Sequence, residues 1–484
     1  MADVRSPSST PLDRRDRLAL TALLVLAGGC RLALGRRFFG FLTGDDVEIL
    51  EAGLRPVLGL AFRPWEIRDT LLPALLVTPI TGLAHALGIE SPRALVWIAS
   101  WPFVALSLVN LGLLHALVRR WGGSARLALL AAGLYASHWI PGGLASTVYP
   151  RTASTTCVLG AALVLAGKRA PRALFATGAL LALAFAVRYS EAVFLVPVAA
   201  IALRDGPDLA ARLRRLAPLA AGFAAGALLF VGLPDRLEWG APFASLVAFA
   251  RYTLFDERSS SLVPHQPAWW YLWRLAHWIC PAALPALALA LRPRWLRSRP
   301  AARQAWAFVA LPLAALSLVH HKELRYLQGL LPFVAALSAL GLAEVARAGR
   351  RWVAIALALL TIAWGLAQLD FLAGKSMAAV EAAQALAADP GARALATVQP
   401  WAFGDRLYLP ERIAVREIPS PVAVATLAGA IAGADRVALY EIDLLGDPRL
   451  EATLAAASFR RLATFRHGES KAVALFALAP VGER

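Results

Sequence analysis

Apolar residues along this chain come in long unbroken blocks, not in the alternation of a half-buried strand or the one-sided stripe of a soluble helix. Leu18–Leu34, Ala94–Val118, Leu216–Leu233, Trp269–Leu291, Gln304–Val319 and Trp352–Asp370 are the clearest. Each is roughly 16–25 residues long, enough to cross a ~30 Å hydrocarbon core as a helix. The polar punctuation is just as regular. Basic clusters at Arg14–Arg17, Arg119–Arg126, Lys168–Arg172, Arg204–Arg215, Arg292–Arg303 and Arg347–Arg351 separate the blocks. The bias of Lys and Arg toward the cytoplasmic side places all six clusters inside and demands an even number of crossings between neighbours. One segment resists this, Leu71–Ile89, which is apolar but interrupted by Pro73 and Pro79. Read as a membrane-embedded segment that does not span, tolerable where its backbone is buried in protein, it leaves about eleven spans, N-terminus inside and C-terminus outside.

That topology puts five segments outside: Gly35–Arg93, Leu144–Arg151, Arg188–Ser190, Pro234–Ala268 and His320–Tyr326. Nearly all the unusual polar residues before position 370 fall in or beside them. They are Asp45, Asp46, Glu48, Arg151, Arg188, Glu191, Asp235, Glu238, His265, His320, His321, Lys322, Glu323 and Arg325. Ionisable groups at membrane depth are costly and are candidates for function. After Asp370 the blocks shorten. Ala394–Val398, Arg436–Tyr440 and Ala472–Leu475 read as strands, Ala378–Ala388 and Val422–Ala432 as helices, which together suggest a small α/β domain. The expected organisation is a cytoplasmic tail (1–17), a membrane domain (18–370) with its first outer loop at 35–93, and an extracytoplasmic α/β domain (371–484).

Composition agrees. Of 484 residues 58% are hydrophobic and 17% charged, against about 25% charged in an average soluble domain; mean hydropathy is +0.59. The net charge of +17 would suit nucleic acid if it lined one soluble face, but it is spent on the cytoplasmic clusters. Cys30, Cys157 and Cys280 lie in apolar segments without metal-ligand spacing, so they read as packing residues.

Three motifs carry chemistry. Thr43-Gly44-Asp45-Asp46-Val47-Glu48 follows the first span at once. It suits a helix start, with Thr43 or Asp45 capping free amides, and equally a general base able to take a proton from an acceptor hydroxyl. His320-His321-Lys322-Glu323-Leu324-Arg325-Tyr326 lies between two spans. It could be an interfacial turn of snorkelling cations with a belt tyrosine, or an anion site in which Lys, Arg and imidazole meet a phosphate and Glu323 orients them. The third, from Asp235 through Trp239 to Trp269, Trp270 and Tyr271, offers belt aromatics or a surface for a sugar face. Arg151 and Arg188 are either interface anchors or further phosphate donors.

In this order the motifs resemble glycosyltransferase family 22, the GT-C-fold mannosyltransferases of lipid-linked glycan and glycolipid-anchor assembly. Thr43-Gly44-Asp45-Asp46 stands where that family has His-Pro-Asp-Glu. His321-Lys322-Glu323-Leu324-Arg325-Tyr326 is similar to its His-Lys-Glu-x-Arg-Phe, and Asp235 to Tyr271 to its aromatic loop. Tyr149-Pro150-Arg151-Thr152 resembles a Ser-Arg-Thr element, and Glu66-Ile67-Arg68-Asp69 a Glu-x-Arg-Ser element. The departures are Thr43-Gly44 for His-Pro, Asp46 for Glu, and Val158 for the acid after the Arg-Thr element. The resemblance covers roughly residues 15–345 and implies a mainly α, polytopic fold. It implies a polyprenyl-phosphate sugar as donor substrate, mannose foremost, a glycan or glycolipid acceptor and an inverting single displacement, with no separate cofactor. Asp45 and Asp46 would be the catalytic acids; His321, Lys322, Arg325, Arg151 and Arg188 would bind the donor phosphate. Glu323, His320, Tyr326, Asp235, Trp239, Glu48 and Arg68 would support them. No metal cluster and no nucleic-acid surface is expected. Other readings are a GT-C transferase acting on protein or lipid, a lipid or glycan transporter, which would favour charges near the midplane of several spans, and a silent assembly subunit.

Overall fold

The computed structural model describes residues 13–38, 42–59, 71–167, 170–204, 208–254, 266–373, 377–404, 407–467 and 472–479. Arg68, with Glu66 and Asp69 of the same element, and His265 lie outside the described residues. The chain is mainly helical. It opens with α1 (Arg14–Arg37), α2 (Gly44–Leu54), a π-helical turn at Pro73–Val77, α3 (Thr78–Ala86), α4 (Pro92–Ala99) and α5 (Trp101–Arg120). Among the described residues six helical segments are long and apolar enough to cross a membrane: Arg14–Arg37, Pro92–Arg120, Leu209–Trp239, Pro300–Leu318, Leu324–Arg347 and Arg351–Leu369. Shorter apolar helices such as Ala125–Ser137 and Pro171–Val187 accompany them. The Pro73–Ala86 segment, set apart in the sequence by its two prolines, is one of the short ones. At 1.5 Å per residue it falls well below the ~30 Å of a hydrocarbon core.

The chain divides into two compact units. The first comprises residues 1–33, 63–76 and 101–369. Leu331–Arg347 is its central helix, buried almost continuously from Leu331 to Leu342. It packs on Ala125–Ser137, Pro300–Leu318 and Leu284–Ala290, with Phe333 stacked on Phe308 at 4.4 Å between ring centroids. Peripheral helices instead expose large apolar side chains, among them Val25 (70%), Leu26 (67%) and Leu366 (63%), a surface suited to lipid. Pro171–Val187 and Leu216–Ala227 approach so closely that a Cβ on Gly178 would stand 2.1 Å from the Leu219 carbonyl oxygen, and one on Gly222 2.0 Å from that of Phe175. Small residues let backbones meet where lipid provides no hydrophobic drive.

The apolar block Trp269–Leu291 differs from its expected form. It is four short pieces, Trp270–Trp273, Leu275–Trp278, Pro281–Ala283 and Leu284–Ala290, with Ile279 and Cys280 extended between them. Pro281 removes a backbone donor and disfavours helical geometry in the residue before it. The freed polar groups are met by neighbours: Trp139 Nε1 donates to the His277 carbonyl at 2.7 Å, and the Ala282 amide donates to Thr361 Oγ1 at 2.8 Å.

The second unit joins residues 34–62 and 77–100 to residues 370–484, so the segment after α1 folds with the C-terminal α/β region. That region has five strands, β1 (Ala394–Thr397), β2 (Ala414–Glu417), β3 (Arg436–Tyr440), β4 (Phe459–Phe465) and β5 (Val473–Leu478), in the order β2-β1-β3-β5-β4. β1 lies parallel to β2 and β3, while β5 runs antiparallel to β3 and β4. Helices Met377–Ala388, Val424–Ile431 and Arg449–Ala456 accompany the sheet.

Candidate active site

The carboxylates belong to the second unit. Thr43 caps α2 in extended conformation, and Thr43 with Asp46 forms a reciprocal capping box. Asp46 Oδ2 accepts from the amides of Leu42 (2.7 Å) and Thr43 (3.2 Å), Oδ1 accepts from the Thr43 hydroxyl (3.1 Å), and the Asp46 amide donates back to Thr43 Oγ1 (3.4 Å). Asp46 is wholly buried and engaged in starting the helix. Asp45, one position earlier and 5% exposed, takes no part in the box. The adjacent acids therefore differ in duty: Asp46 holds the backbone, and Asp45 sits in the first turn, where the helix dipole favours negative charge. Glu48 is half-buried one turn further on. Beside them, a Cβ on Gly44 would stand 3.6 Å from Cγ and Cδ2 of Trp401, brought by a 3-10 turn at Pro400–Phe403.

The cations belong to the first unit. His320–Tyr326 joins the Pro300–Leu318 helix to a 3-10 segment, Leu324–Leu330, that runs into the central helix. Glu323 is its hub. Its Oε1 accepts from Arg325 Nη2 at 2.7 Å and lies 3.0 Å from His321 Nε2, while Oε2 is 2.7 Å from Arg325 Nε. Burial alone would raise the Glu323 pKa, but the Arg325 guanidinium and His321 outweigh it and bring the group down to about 2. The Tyr326 hydroxyl lies 3.4 Å from His321 Nε2. Tyr271 covers the cluster, its hydroxyl donating to the Glu323 carbonyl at 3.4 Å. A charged fork held in this way presents an imidazole and a guanidinium in fixed geometry, the donor set that suits a phosphate.

Lys322 has a different environment. It is 4% exposed, and its ammonium donates to the carbonyls of Gln266, at 2.9 Å, and Val319. Burial lowers its pKa. It therefore ties the turn together, and His321 and Arg325 form the half-open part of the motif. His320 is exposed, and its carbonyl accepts from the Gln266 amide at 3.1 Å.

Arg151 starts the Pro150–Leu165 helix and is 3% exposed. Its guanidinium bonds Glu191 at 2.5 Å and the Ser190 hydroxyl at 2.9 Å. It also lies 4.7 Å from the centre of the Tyr326 ring. The next residue, Thr152, is bound by Asn110 Nδ2 at its carbonyl (3.0 Å) and by Gln328 Nε2 at its hydroxyl (3.2 Å). The structure thus brings Arg151 to the His321–Tyr326 cluster but neutralises it with Glu191, whose charge also feels Arg188. In the sequence Glu191 falls among the outward acids with no role of its own. An acid inside the run Tyr189–Ala202 was the available signal, and its partner stands forty positions away. Asp235 is likewise committed. Its Oδ2 accepts from the Ser245 amide (2.9 Å) and hydroxyl (2.6 Å), and Ser245 Oγ bonds Tyr189. Trp239 is half-buried at the end of its helix, before Gly240 in left-handed conformation. Among the described residues no group of three or more His, Cys, Asp or Glu is placed to hold a metal ion.

A polytopic helical membrane unit, an acid-bearing loop helix folded with a small α/β region, and a half-open cation-carboxylate cluster at the head of a span are the features of a membrane glycosyltransferase of the GT-C fold. The sequence matches the Alg9-like mannosyltransferase family over residues 65–386, and the chain belongs to that family. The fold is similar to that of ArnT from Cupriavidus metallidurans bound to undecaprenyl phosphate (TM-score 0.59, 14% identity, 96% of this chain and 98% of that one). It also resembles the Archaeoglobus fulgidus oligosaccharyltransferase tethered with an acceptor peptide (TM-score 0.50, 12% identity, 95% and 74%). No curated protein matches the chain by sequence.

Proposed function

We propose that this enzyme transfers mannose from a polyprenyl-phosphate donor to a lipid-linked or envelope glycan acceptor, with inversion, on the periplasmic face of the inner membrane. The observation that carries the donor class is the Glu323 fork, an imidazole and a guanidinium held at the head of a membrane span, as a lipid-borne phosphate requires. The undecaprenyl phosphate bound to ArnT and the family match support the reading.

The reaction needs a base and an electrophilic support. Asp45 takes the proton of the acceptor hydroxyl as its oxygen attacks the anomeric carbon. The new bond forms as the carbon–phosphate-oxygen bond breaks, and the electron pair leaves on the polyprenyl phosphate. Negative charge grows on that phosphate in an oxocarbenium-like transition state, and His321 and Arg325 receive it, with Lys322 holding the turn. Arg151 and Glu191 fix Tyr326 beside them.

The test compares Asp45→Asn and Asp46→Asn with wild type in nanodiscs, using decaprenyl-phosphate mannose, glucose or arabinose and a short alkyl mannoside as acceptor. Asp45→Asn should lower transfer by about 10²–10⁴-fold with unchanged thermal unfolding. Asp46→Asn should mainly destabilise, because it weakens the cap. Equal transfer by Asp45→Asn and wild type would remove Asp45 as base. Wild type active only with glucose or arabinose would overturn mannose, and no transfer from any of the three would overturn the proposed donor class.

A further inference from the structure

We infer that Trp401, in the C-terminal α/β region, is the acceptor-binding residue beside Asp45: its indole receives the sugar that carries the attacking hydroxyl. The inference rests on Asp45 as the base, and it gives the last hundred residues a place in the reaction. Three observations carry it. Trp401 reaches the start of α2, its ring atoms 3.6 Å from where a Cβ on Gly44 would stand, one residue from Asp45. The turn that presents it does not need it as filling, for Ala402 and Phe403 are each 1% exposed whereas Trp401 is only half-buried. Its indole N–H makes no hydrogen bond among the described residues and is not buried, so it stands open to a ligand.

The backbone adds a fourth. Gln399, just before the turn, is held at φ 54°, and Gly404 closes it at φ 76°. A side chain other than glycine in this region costs free energy, and such strain gathers where a group must be aimed. Pro400 fixes the next φ. An apolar ring face beside an unused N–H donor fits a pyranose, whose axial C–H groups stack on the ring while a hydroxyl accepts from the nitrogen. Few polar groups on an apolar wall are how such sites orient small ligands.

The experiment uses the full chain in nanodiscs. Transfer from decaprenyl-phosphate mannose to the alkyl mannoside is followed for wild type, Trp401→Ala and Trp401→Phe, with separate KM values for donor and acceptor. Saturation-transfer NMR with methyl mannoside measures binding without turnover. Trp401→Ala should raise the acceptor KM about tenfold or more, from the lost ring contact and hydrogen bond, with the donor KM unchanged. Trp401→Phe should recover part of the loss through its ring. An unchanged acceptor KM in either variant, or donor and acceptor KM rising together, would overturn the inference and leave the proposed function standing. If wild type transfers nothing but binds methyl mannoside, and Trp401→Phe weakens that binding, the proposed function falls and the sugar site remains. If Trp401→Ala does not fold, Trp401→Phe decides: binding equal to wild type overturns the hydrogen bond and the site with it.

Discussion

Removing either member of the Arg151–Glu191 pair should destabilise the membrane unit severely, and removing both should restore most of the loss. The two side chains are 3% and 1% exposed and 2.5 Å apart. Two charges so deeply buried gain little net stability from their pairing, because desolvation cancels most of the attraction. Leaving one alone costs about 3–5 kcal/mol. Arg151→Met also forfeits the Ser190 hydrogen bond, which adds about 0.5–1.5 kcal/mol. Glu191→Gln should therefore lose roughly 3–5 kcal/mol, and Arg151→Met roughly 3.5–6.5 kcal/mol. The double variant Arg151→Met/Glu191→Leu should fall within about 1–2 kcal/mol of wild type, a coupling far above the few tenths expected of independent positions. Unfolding in nanodiscs by scanning fluorimetry and by denaturant titration measures all three. Transfer activity is then read on the stable double variant. Restored stability with lost transfer identifies a role for Arg151 at the donor phosphate beyond its ion pair. Two mild and additive single effects would refute the argument, since the pair would then be neither buried nor uncompensated when broken.

Two further outcomes follow from the same structure. Glu323 has its pKa depressed to about 2 from 4.5, so its contribution is fully present above the unfolded value and disappears as pH falls from 4.5 toward 2. The melting-temperature difference between wild type and Glu323→Gln should be constant from pH 8 to 5 and shrink below 4.5; a difference that disappears already at pH 6 would assign the effect to another group. At Gly178, alanine should destabilise by about 1–3 kcal/mol despite its better helix propensity, because its Cβ would meet the Leu219 carbonyl at 2.1 Å. Gly29→Ala, with nothing within 4 Å, should be neutral or stabilising in the same unfolding assay.

Much of the fold can be read from residue pattern, because lipid imposes a length and a uniform polarity on whatever crosses it. Five of the six long apolar helical segments coincide closely with the blocks named from the sequence; Leu324–Arg347 matches none of those blocks, and the Trp269–Leu291 block forms short pieces instead. There, hydropathy averages over Pro281 and cannot register that one missing donor divides a helix. In the C-terminal region the buried strands β1, β3 and β5 stand out as apolar runs. The edge strands β2 and β4 do not, since Arg416, Glu417, Arg460 and Arg461 face solvent, as edges commonly do to discourage further pairing. The two aspartates show a different limit. The Thr43-x-x-Asp46 spacing is that of a capping box, and it separates Asp46 from Asp45. Glu191 and Trp401 lay beyond such reading, because their partners are set by tertiary folding and no local spacing announces them.

The union of the Asp45 segment with the C-terminal α/β region has a consequence for how the enzyme comes into being. Gly44 leaves the ribosome about 350 residues before Trp401, an interval of roughly 20–70 s at ordinary synthesis rates of 5–20 residues per second. Throughout it the spans are being inserted into the bilayer, with the helix of Asp45 still lacking its companion fold. The chain order thus works as a timer: the first part of this folding unit is made early and the rest last, so a nascent chain stalled partway, or one clipped after the final span, carries the helix of Asp45 without the remainder of its unit.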